Sequence, residues 1–145
     1  MSQRHSTQNE TIMLITTNIK SRRPLFQNPA YAREAIETLY RVQERYPFSY
    51  GFVVMPDHCH FLMSVPEPGS ISKIMNIYKG IVSSNIGLGP IWQPRFHVLI
   101  PKKPQEALRY VALNPVRKKL VENIEDYPWS SACGKWDVAE TAWYW

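Results

Sequence analysis

The apolar positions of the chain change period several times, and each change marks an element. Thr11 to Asn18 is rich in β-branched residues and predicts a strand. Lys20-Ser21-Arg22-Arg23-Pro24 is a basic loop. Ala35, Ile36, Leu39, Tyr40 and Val42 recur at helical spacing, behind a candidate Asn28 cap with Pro29 at the first helical position. That helix is expected to run to Tyr46, before Pro47. Ser49 to Met55 predicts a second strand and His58 to Val65 a third, joined as a hairpin by Pro56-Asp57. Ser70 stands as the N-cap of a second helix, with Ile71, Ile74, Tyr78, Ile81 and Val82 on its apolar side and Asn76, Lys79 and Ser83 on another stripe. Gly87 to Pro90 breaks it, and Phe96 to Ile100 predicts a fourth strand. Pro104 opens a last helix to about Leu113. Asn114-Pro115 is expected to interrupt it, with Pro115 to Val121 as one more helical stretch.

The order β-α-β-β-α-β-α predicts an α+β fold. Its first six elements are the ferredoxin-like arrangement, a four-stranded antiparallel sheet with two helices on one face. Residues 11–131 are expected to form one domain, between a disordered leader at 1–10 and a tail at 132–145 without clear period. Side chains alternate along a strand, so Cys59, Phe61, Met63 and Val65 share one apolar face that belongs under the two helices. His58, His60, Leu62 and Ser64 share the other, which the additional C-terminal helix is placed to cover.

Composition narrows the picture. No apolar run is long enough for a membrane span, and the polar N-terminus has no signal-peptide core. Two cysteines give no disulfide framework, which points to a reducing compartment, the cytoplasm. Cys59, on the apolar face, is expected to be a buried, unreactive thiol. The net charge of +5 suits a polyanionic partner. Tryptophans and tyrosines add flat surfaces on which bases can stack.

The candidate chemistry begins at His58 and His60, two imidazoles side by side on a strand, half of a metal site. Tyr110 and Asn114 lie four apart on the last helix and share a face if the helix survives to Asn114. A phenol and an amide oxygen would then face the two histidines. Two imidazoles and an amide carbonyl leave positions on a divalent ion that phosphate oxygens fill, and on ligand chemistry alone manganese or zinc suits them better than magnesium. Ordinary structural roles stand beside these. A His-x-His pair can be simply half-buried, Tyr110 can be core, Asn114 before Pro115 can be a helix cap, and Arg117-Lys118-Lys119 can be a solvated face. His97 alternates with Arg95 and Leu99 and is either structural or in contact with nucleic acid.

Taken as an ordered set, the motifs point further. Met55-Pro56-Asp57-His58-Cys59-His60, Lys79-Gly80, Trp92-Gln93-Pro94-Arg95-Phe96, Arg109-Tyr110, Asn114-Pro115-Val116-Arg117 and Tyr127-Pro128-Trp129-Ser130-Ser131 together resemble the single-tyrosine HUH transposases, above all the REP-associated tyrosine transposases of bacteria. The resemblance runs from the first strand to Ser131. It implies a metal-dependent endonuclease and strand-transferase acting on single-stranded, usually hairpin-bearing DNA. In it Tyr110 is the nucleophile, His58 and His60 bind the metal, and Asn114 completes the site. The divalent ion is expected to be magnesium or manganese.

A free phenol has a pKa of about 10 and is scarcely ionised at neutral pH, so the metal and nearby cations must assist the attack. The product is a 5′-phosphotyrosine and a free 3′-hydroxyl, and the covalent bond conserves the phosphodiester energy for rejoining without ATP. No phosphate-binding Gly-x-x-x-x-Gly-Lys loop is present, in keeping with that. Phosphate contacts are expected from Lys79, Arg95, Arg109, Arg117, Lys118 and Lys119, with Lys20, Arg22 and Arg23 as further loop charge, and base stacking from Trp92 or Trp129. The protein is expected to act as a monomer or homodimer. Two alternatives remain open: a DNA-hairpin-binding protein that no longer cuts, and a small metal hydrolase that uses only the histidines.

Overall fold

A computed structural model describes residues 12–45, 49–65, 69–136 and 138. The expected leader and the end of the tail lie outside the described residues. Strand β1 (Met13–Asn18) is followed by helix α1 (Pro29–Arg45), strands β2 (Ser49–Met55) and β3 (His58–Met63), helix α2 (Ile71–Ile86), strand β4 (His97–Leu99) and helix α3 (Pro104–Arg117). The sheet order is β2-β3-β1-β4, with all pairs antiparallel. This is the expected ferredoxin-like sheet, and it puts β1 and β3 at the centre.

The helix starts follow their caps. Asn28 Oδ1 accepts from the Ala30 amide at 2.9 Å, with Pro29 in the first turn, where its missing N–H costs nothing. Ser70 Oγ accepts from the Lys73 amide at 3.4 Å, and α2 ends on Gly87, whose φ of 77° is the left-handed conformation that suits glycine. Both helices lie on one face of the sheet. Ala35, Ile36 and Leu39 of α1 and Ile74, Tyr78 and Val82 of α2 bury against Ile15, Phe52, Val54, Cys59, Phe61 and Met63. Cys59 is fully buried there, as expected, and burial pushes its thiol pKa far up, away from the reactive thiolate.

The opposite face carries a smaller core. Leu14, Val53, Met55 and Leu62 pack against Val111 of α3 and against Tyr127. The alternation read for β3 is therefore correct, and no bulge reverses it. Helix α3 comes close to β2 at Gly51, where any Cβ would collide with the Leu108 side chain.

Helix α3 corrects one expectation. Asn114-Pro115 does not interrupt it; the helix continues to Arg117. Proline there has no N–H for the Val111 carbonyl four residues back and its ring crowds that carbonyl, at a cost of about 3 kcal/mol in a helix interior, and the helix carries it with Asn114 and Pro115 buried. No further helix runs to Val121. The chain closes in a Schellman turn, with Lys119 N–H donating to the Val116 carbonyl at 2.9 Å and Leu120 N–H to the Pro115 carbonyl at 2.9 Å. Lys119 occupies the left-handed position, φ 61°, that glycine usually fills.

The segment after α3 straps the outer edge of β2. Val54 N–H donates to the Trp129 carbonyl at 2.8 Å, and Ser131 Oγ accepts from the Phe52 amide at 3.0 Å. Tyr127 Oη donates to the Val54 carbonyl at 2.7 Å. The Tyr-Pro-Trp-Ser-Ser motif thus satisfies an edge that would otherwise be open to foreign strands.

Candidate active site

His58 and His60 stand one residue apart on β3, a central strand, and point to the face covered by α3. Their ring centroids are 4.7 Å apart at an interplanar angle of 80°. Each ring is held through Nδ1. His58 Nδ1 lies 2.7 Å from Asp57 Oδ1, and His60 Nδ1 lies 2.8 Å from Thr16 Oγ1, its cross-strand neighbour on β1. Asn114 is buried, and its Nδ2 donates to His58 Nε2 at 3.3 Å. The carboxylate accepting at Nδ1 and the amide donating at Nε2 require the same tautomer of His58, with the proton on Nδ1. The 3.4 Å approach of Arg22 Nη2 to Nδ1 then sets donor against donor and is a contact rather than a hydrogen bond.

Arg22 reaches the site from the loop after β1. Its Nε donates to Asp57 Oδ2 at 3.0 Å. The backbone is held left-handed at both Ser21, φ 59°, and Arg22, φ 52°, a conformation costly for residues other than glycine. The loop is tied to the hairpin turn by Ile19 N–H to the Asp57 carbonyl and Phe26 N–H to the Pro56 carbonyl, both at 2.9 Å.

The electrostatics keep both imidazoles neutral. Burial lowers the pKa of His58; the Asp57 hydrogen bond and charge oppose this, while the charges of Arg22 and Lys118 add to it. Burial, with the repulsion a protonated His58 would add and the charges of Arg117 and Arg22, pushes His60 down to about 4. Burial alone would raise the Asp57 pKa, but the hydrogen bonds from His58 and Arg22 more than offset it and the carboxylate is held below its usual range. Neutral imidazole is the metal-binding form, and a carboxylate on the far nitrogen is the usual support for such a ligand.

The donor set fits a divalent ion. His58 Nε2 and His60 Nε2 are the nitrogens left for it, and Asn114, with its amide turned about, presents Oδ1 beside them. No group of three His, Cys, Asp or Glu side chains stands ready as a metal site among the described residues, so a third protein donor to an ion on the histidines would have to come from Asn114.

Tyr110 precedes Asn114 by one turn of α3. It is exposed, and together with His60 it lines an open groove of about 720 Å³. Arg117 fixes the tyrosine. Its guanidinium carbon lies 4.0 Å from the ring centroid, and its Nη2 donates to the Tyr110 carbonyl at 2.7 Å. The continuous helix is what places Tyr110 and Asn114 on one face. Had it broken at Asn114, phenol and amide would have had no fixed relation.

The other expected DNA contacts divide. Arg95, Arg109, Arg117, Lys118 and Lys119 are exposed, and Arg117 and Lys118 act electrostatically on the histidines. Lys79 is half-buried and its Nζ donates to the Gln93 carbonyl at 2.9 Å, while Trp92 Nε1 donates back to the Lys79 carbonyl at 3.0 Å. Trp92 packs on Phe26 and Tyr78, on the sheet face away from the histidines. This pair ties the loop before β4 to α2, with Ser83 Oγ on the Gly89 carbonyl at 2.9 Å as a second tie. Trp129 lies at the β2 edge, under Arg33 at 5.6 Å, across the sheet from the Tyr110 groove. His97 is exposed and lines that groove. Asp57 and Thr16, which orient the histidines, were not among the residues singled out from sequence; the Asp immediately before His58 was the available signal.

Comparison with known proteins identifies the family and the fold. The family model described as "Transposase IS200 like" matches residues 7–99, a span that holds both histidines and stops before Tyr110. A REP-associated tyrosine transposase of Escherichia coli K12 is 31% identical over 123 residues, covering 80% of this chain and 73% of its own. A solved REP-associated tyrosine transposase bound to a REP hairpin superposes with a TM-score of 0.75 at 25% identity, covering 92% of this chain and 90% of that one. A solved protein of Deinococcus radiodurans R1, with a TM-score of 0.55 at 17% identity over 68% of this chain and 85% of that one, shares the fold. The chain belongs to the IS200-like transposase family and resembles within it the REP-associated tyrosine transposases, DNA-processing proteins built on this sheet.

Proposed function

We propose that the chain is a metal-dependent single-stranded DNA endonuclease and strand-transferase that cuts through a 5′-phosphotyrosine on Tyr110. The observation that carries this reading is the pair of neutral imidazoles, each held through Nδ1 and ringed by Arg22, Arg117 and Lys118, of which His60 shares a groove wall with Tyr110. Such a site favours an anion, and phosphate is the anion on which a phenol does useful chemistry.

His58, His60 and Asn114 would hold a divalent ion, magnesium or manganese, which would supply polarisation of the scissile phosphate. The protein does the rest. Arg117 holds the Tyr110 ring, and the surrounding cations attract the DNA backbone. Tyr110 Oη forms the new bond to phosphorus, and the bond to the 3′ oxygen breaks, leaving a 3′-hydroxyl. Reversal by another 3′-hydroxyl restores a phosphodiester and frees the tyrosine, which is strand transfer. The solved relative bound to a REP hairpin supports a hairpin as the DNA partner of this chain too. No helix among the described residues is long and apolar enough to cross a membrane, and action on bacterial DNA would place the protein in the cytoplasm, at the nucleoid.

The test is nicking of end-labelled hairpin DNA with manganese present. Wild-type protein is expected to nick, and His58→Ala and His60→Ala to lose metal-dependent nicking by at least 100-fold with hairpin binding retained. Unchanged nicking by either variant at saturating manganese would overturn the metal assignment. Binding without any nicking by the wild type would favour a hairpin-binding protein.

A further inference from the structure

Asp57 stands in the two-residue turn between β2 and β3, where a carboxylate is ordinarily free to face water. Here both of its oxygens are engaged. Oδ1 accepts from His58 Nδ1 at 2.7 Å, and Oδ2 accepts from Arg22 Nε at 3.0 Å. The arginine comes from the loop after β1, 35 residues earlier in the chain. Ser21 (φ 59°, ψ 18°) and Arg22 (φ 52°) are consecutive left-handed residues, and neither is glycine. Backbone of this kind persists only where the surroundings hold it. On either side of the pair they do. Ile19 N–H donates to the Asp57 carbonyl at 2.9 Å, Lys20 N–H to the Ile91 carbonyl at 2.8 Å and Phe26 N–H to the Pro56 carbonyl at 2.9 Å. Two of these three bonds end on the Pro56-Asp57 turn itself. Loop and turn are therefore fastened together, and the guanidinium adds a side-chain tie onto the carboxylate.

We propose that Arg22 is a positioning residue for the candidate active site: it holds the Asp57 carboxylate in the orientation that keeps the His58 proton on Nδ1 and leaves Nε2 open. The inference rests on the proposed reading of His58 as a metal ligand. Three observations favour it over a plain phosphate contact or a stabilising ion pair. The second approach of the guanidinium, Nη2 to His58 Nδ1 at 3.4 Å, sets donor against donor, so the carboxylate and not the ring accounts for where the arginine sits. A cation that only attracts DNA needs no fixed backbone, whereas two left-handed residues fix this one beside a single carboxylate oxygen. Finally, the side chains of the Arg22–Asp57 pair are 51% and 29% exposed, and an ion pair so open to water adds little stability, so stability does not account for the strained turn.

The experiment uses Arg22→Lys, which keeps the charge and loses the planar fork, Arg22→Gln, which loses both, Asp57→Asn, and Arg22→Lys combined with Asp57→Asn. Nitrogen-15 NMR of the metal-free, DNA-free protein reads the His58 tautomer, and its peak dispersion reports folding. Wild type is expected to show one tautomer, protonated on Nδ1, and both Arg22 variants a mixture. Manganese affinity by calorimetry should fall about tenfold in both. The double variant should bind manganese no more weakly than Asp57→Asn alone, because Arg22 acts through Asp57. Hairpin affinity of Arg22→Lys in EDTA should equal that of wild type, with the same salt slope. A wild-type tautomer in both Arg22 variants overturns the proposal. So does full rescue by lysine where glutamine fails, which would make the role one of charge alone, and so does a further tenfold loss in the double variant. Arg22→Gln with an intact tautomer and a salt slope reduced by about one would make Arg22 a phosphate contact and overturn it as well. A wild type that binds no manganese overturns the metal reading; the tautomer, read without metal, then decides the Arg22 assignment by itself.

Discussion

Asp57 Oδ1 lies 2.7 Å from His58 Nδ1, and Arg22 holds the other carboxylate oxygen at 3.0 Å. Because His58 is neutral, this is a hydrogen bond from a neutral ring to a carboxylate and not an ion pair. It fixes the proton on Nδ1 and leaves Nε2 unprotonated, the form in which it would ligate a metal. Asp57→Asn presents an amide that can satisfy Nδ1 in either sense and no longer selects the tautomer. Manganese affinity, measured by calorimetry, should fall about 10–100-fold. Nitrogen-15 NMR should show the mixed tautomer directly, without DNA. An Asp57→Asn protein with wild-type tautomer and affinity would remove Asp57 from the site.

The acid limb of stability should carry a signature of Glu34. Burial alone would raise its pKa, but hydrogen bonds from Asn85 Nδ2 at 2.8 Å and Thr38 Oγ1 at 2.7 Å, with the Arg41 charge, bring it below the ordinary glutamate value. A depressed folded pKa contributes stability above the unfolded pKa, about 4.3, and loses it as pH falls through the folded value. Wild type should therefore exceed Glu34→Gln by roughly 1 kcal/mol near pH 7, and the difference should shrink as pH falls below about 4.3 and through the lower folded value. A gap independent of pH in denaturant melts would show that the carboxylate charge plays no part.

Lys119 offers a substitution that separates stability from binding. Its φ of 61° costs a lysine about 1–2 kcal/mol relative to ordinary backbone, and glycine avoids that at the expense of chain entropy. Lys119→Gly should raise the melting temperature by about 2–4 °C and, with one phosphate contact gone, weaken hairpin binding and reduce its salt slope by about one. A lower melting temperature would contradict the strained-turn account.

The legible and illegible parts of the molecule differ in how local their causes are. The caps at Asn28 and Ser70, the alternation from His58 to Met63 and the spacing of Tyr110 and Asn114 all depend on neighbours in sequence, and each was readable. The survival of α3 past Pro115 was not. It depends on packing that buries Asn114 and Pro115 against residues remote in sequence, such as His58 beside Asn114, and on a Schellman turn whose left-handed residue is a lysine and so carries no glycine signal. Arg22 looked like loop charge because nothing in Ser21-Arg22 announces two left-handed residues that swing the guanidinium onto Asp57. The packing of Trp92 and Trp129 was not legible either, because residue type alone does not separate a ring offered to DNA from one packed on the protein. Their packing partners, Phe26 and Tyr78 for one and Arg33 for the other, are remote in sequence.

The most direct measurement maps the covalent adduct. Wild-type protein is incubated with a labelled hairpin and manganese, denatured in SDS, digested with nuclease and trypsin, and its peptides weighed. The account predicts a nucleotide remnant on the peptide from Tyr110 to Arg117, and no adduct of any kind from Tyr110→Phe, which should still bind the hairpin. Nicking that proceeds in Tyr110→Phe, or a remnant carried by any other residue, would contradict it.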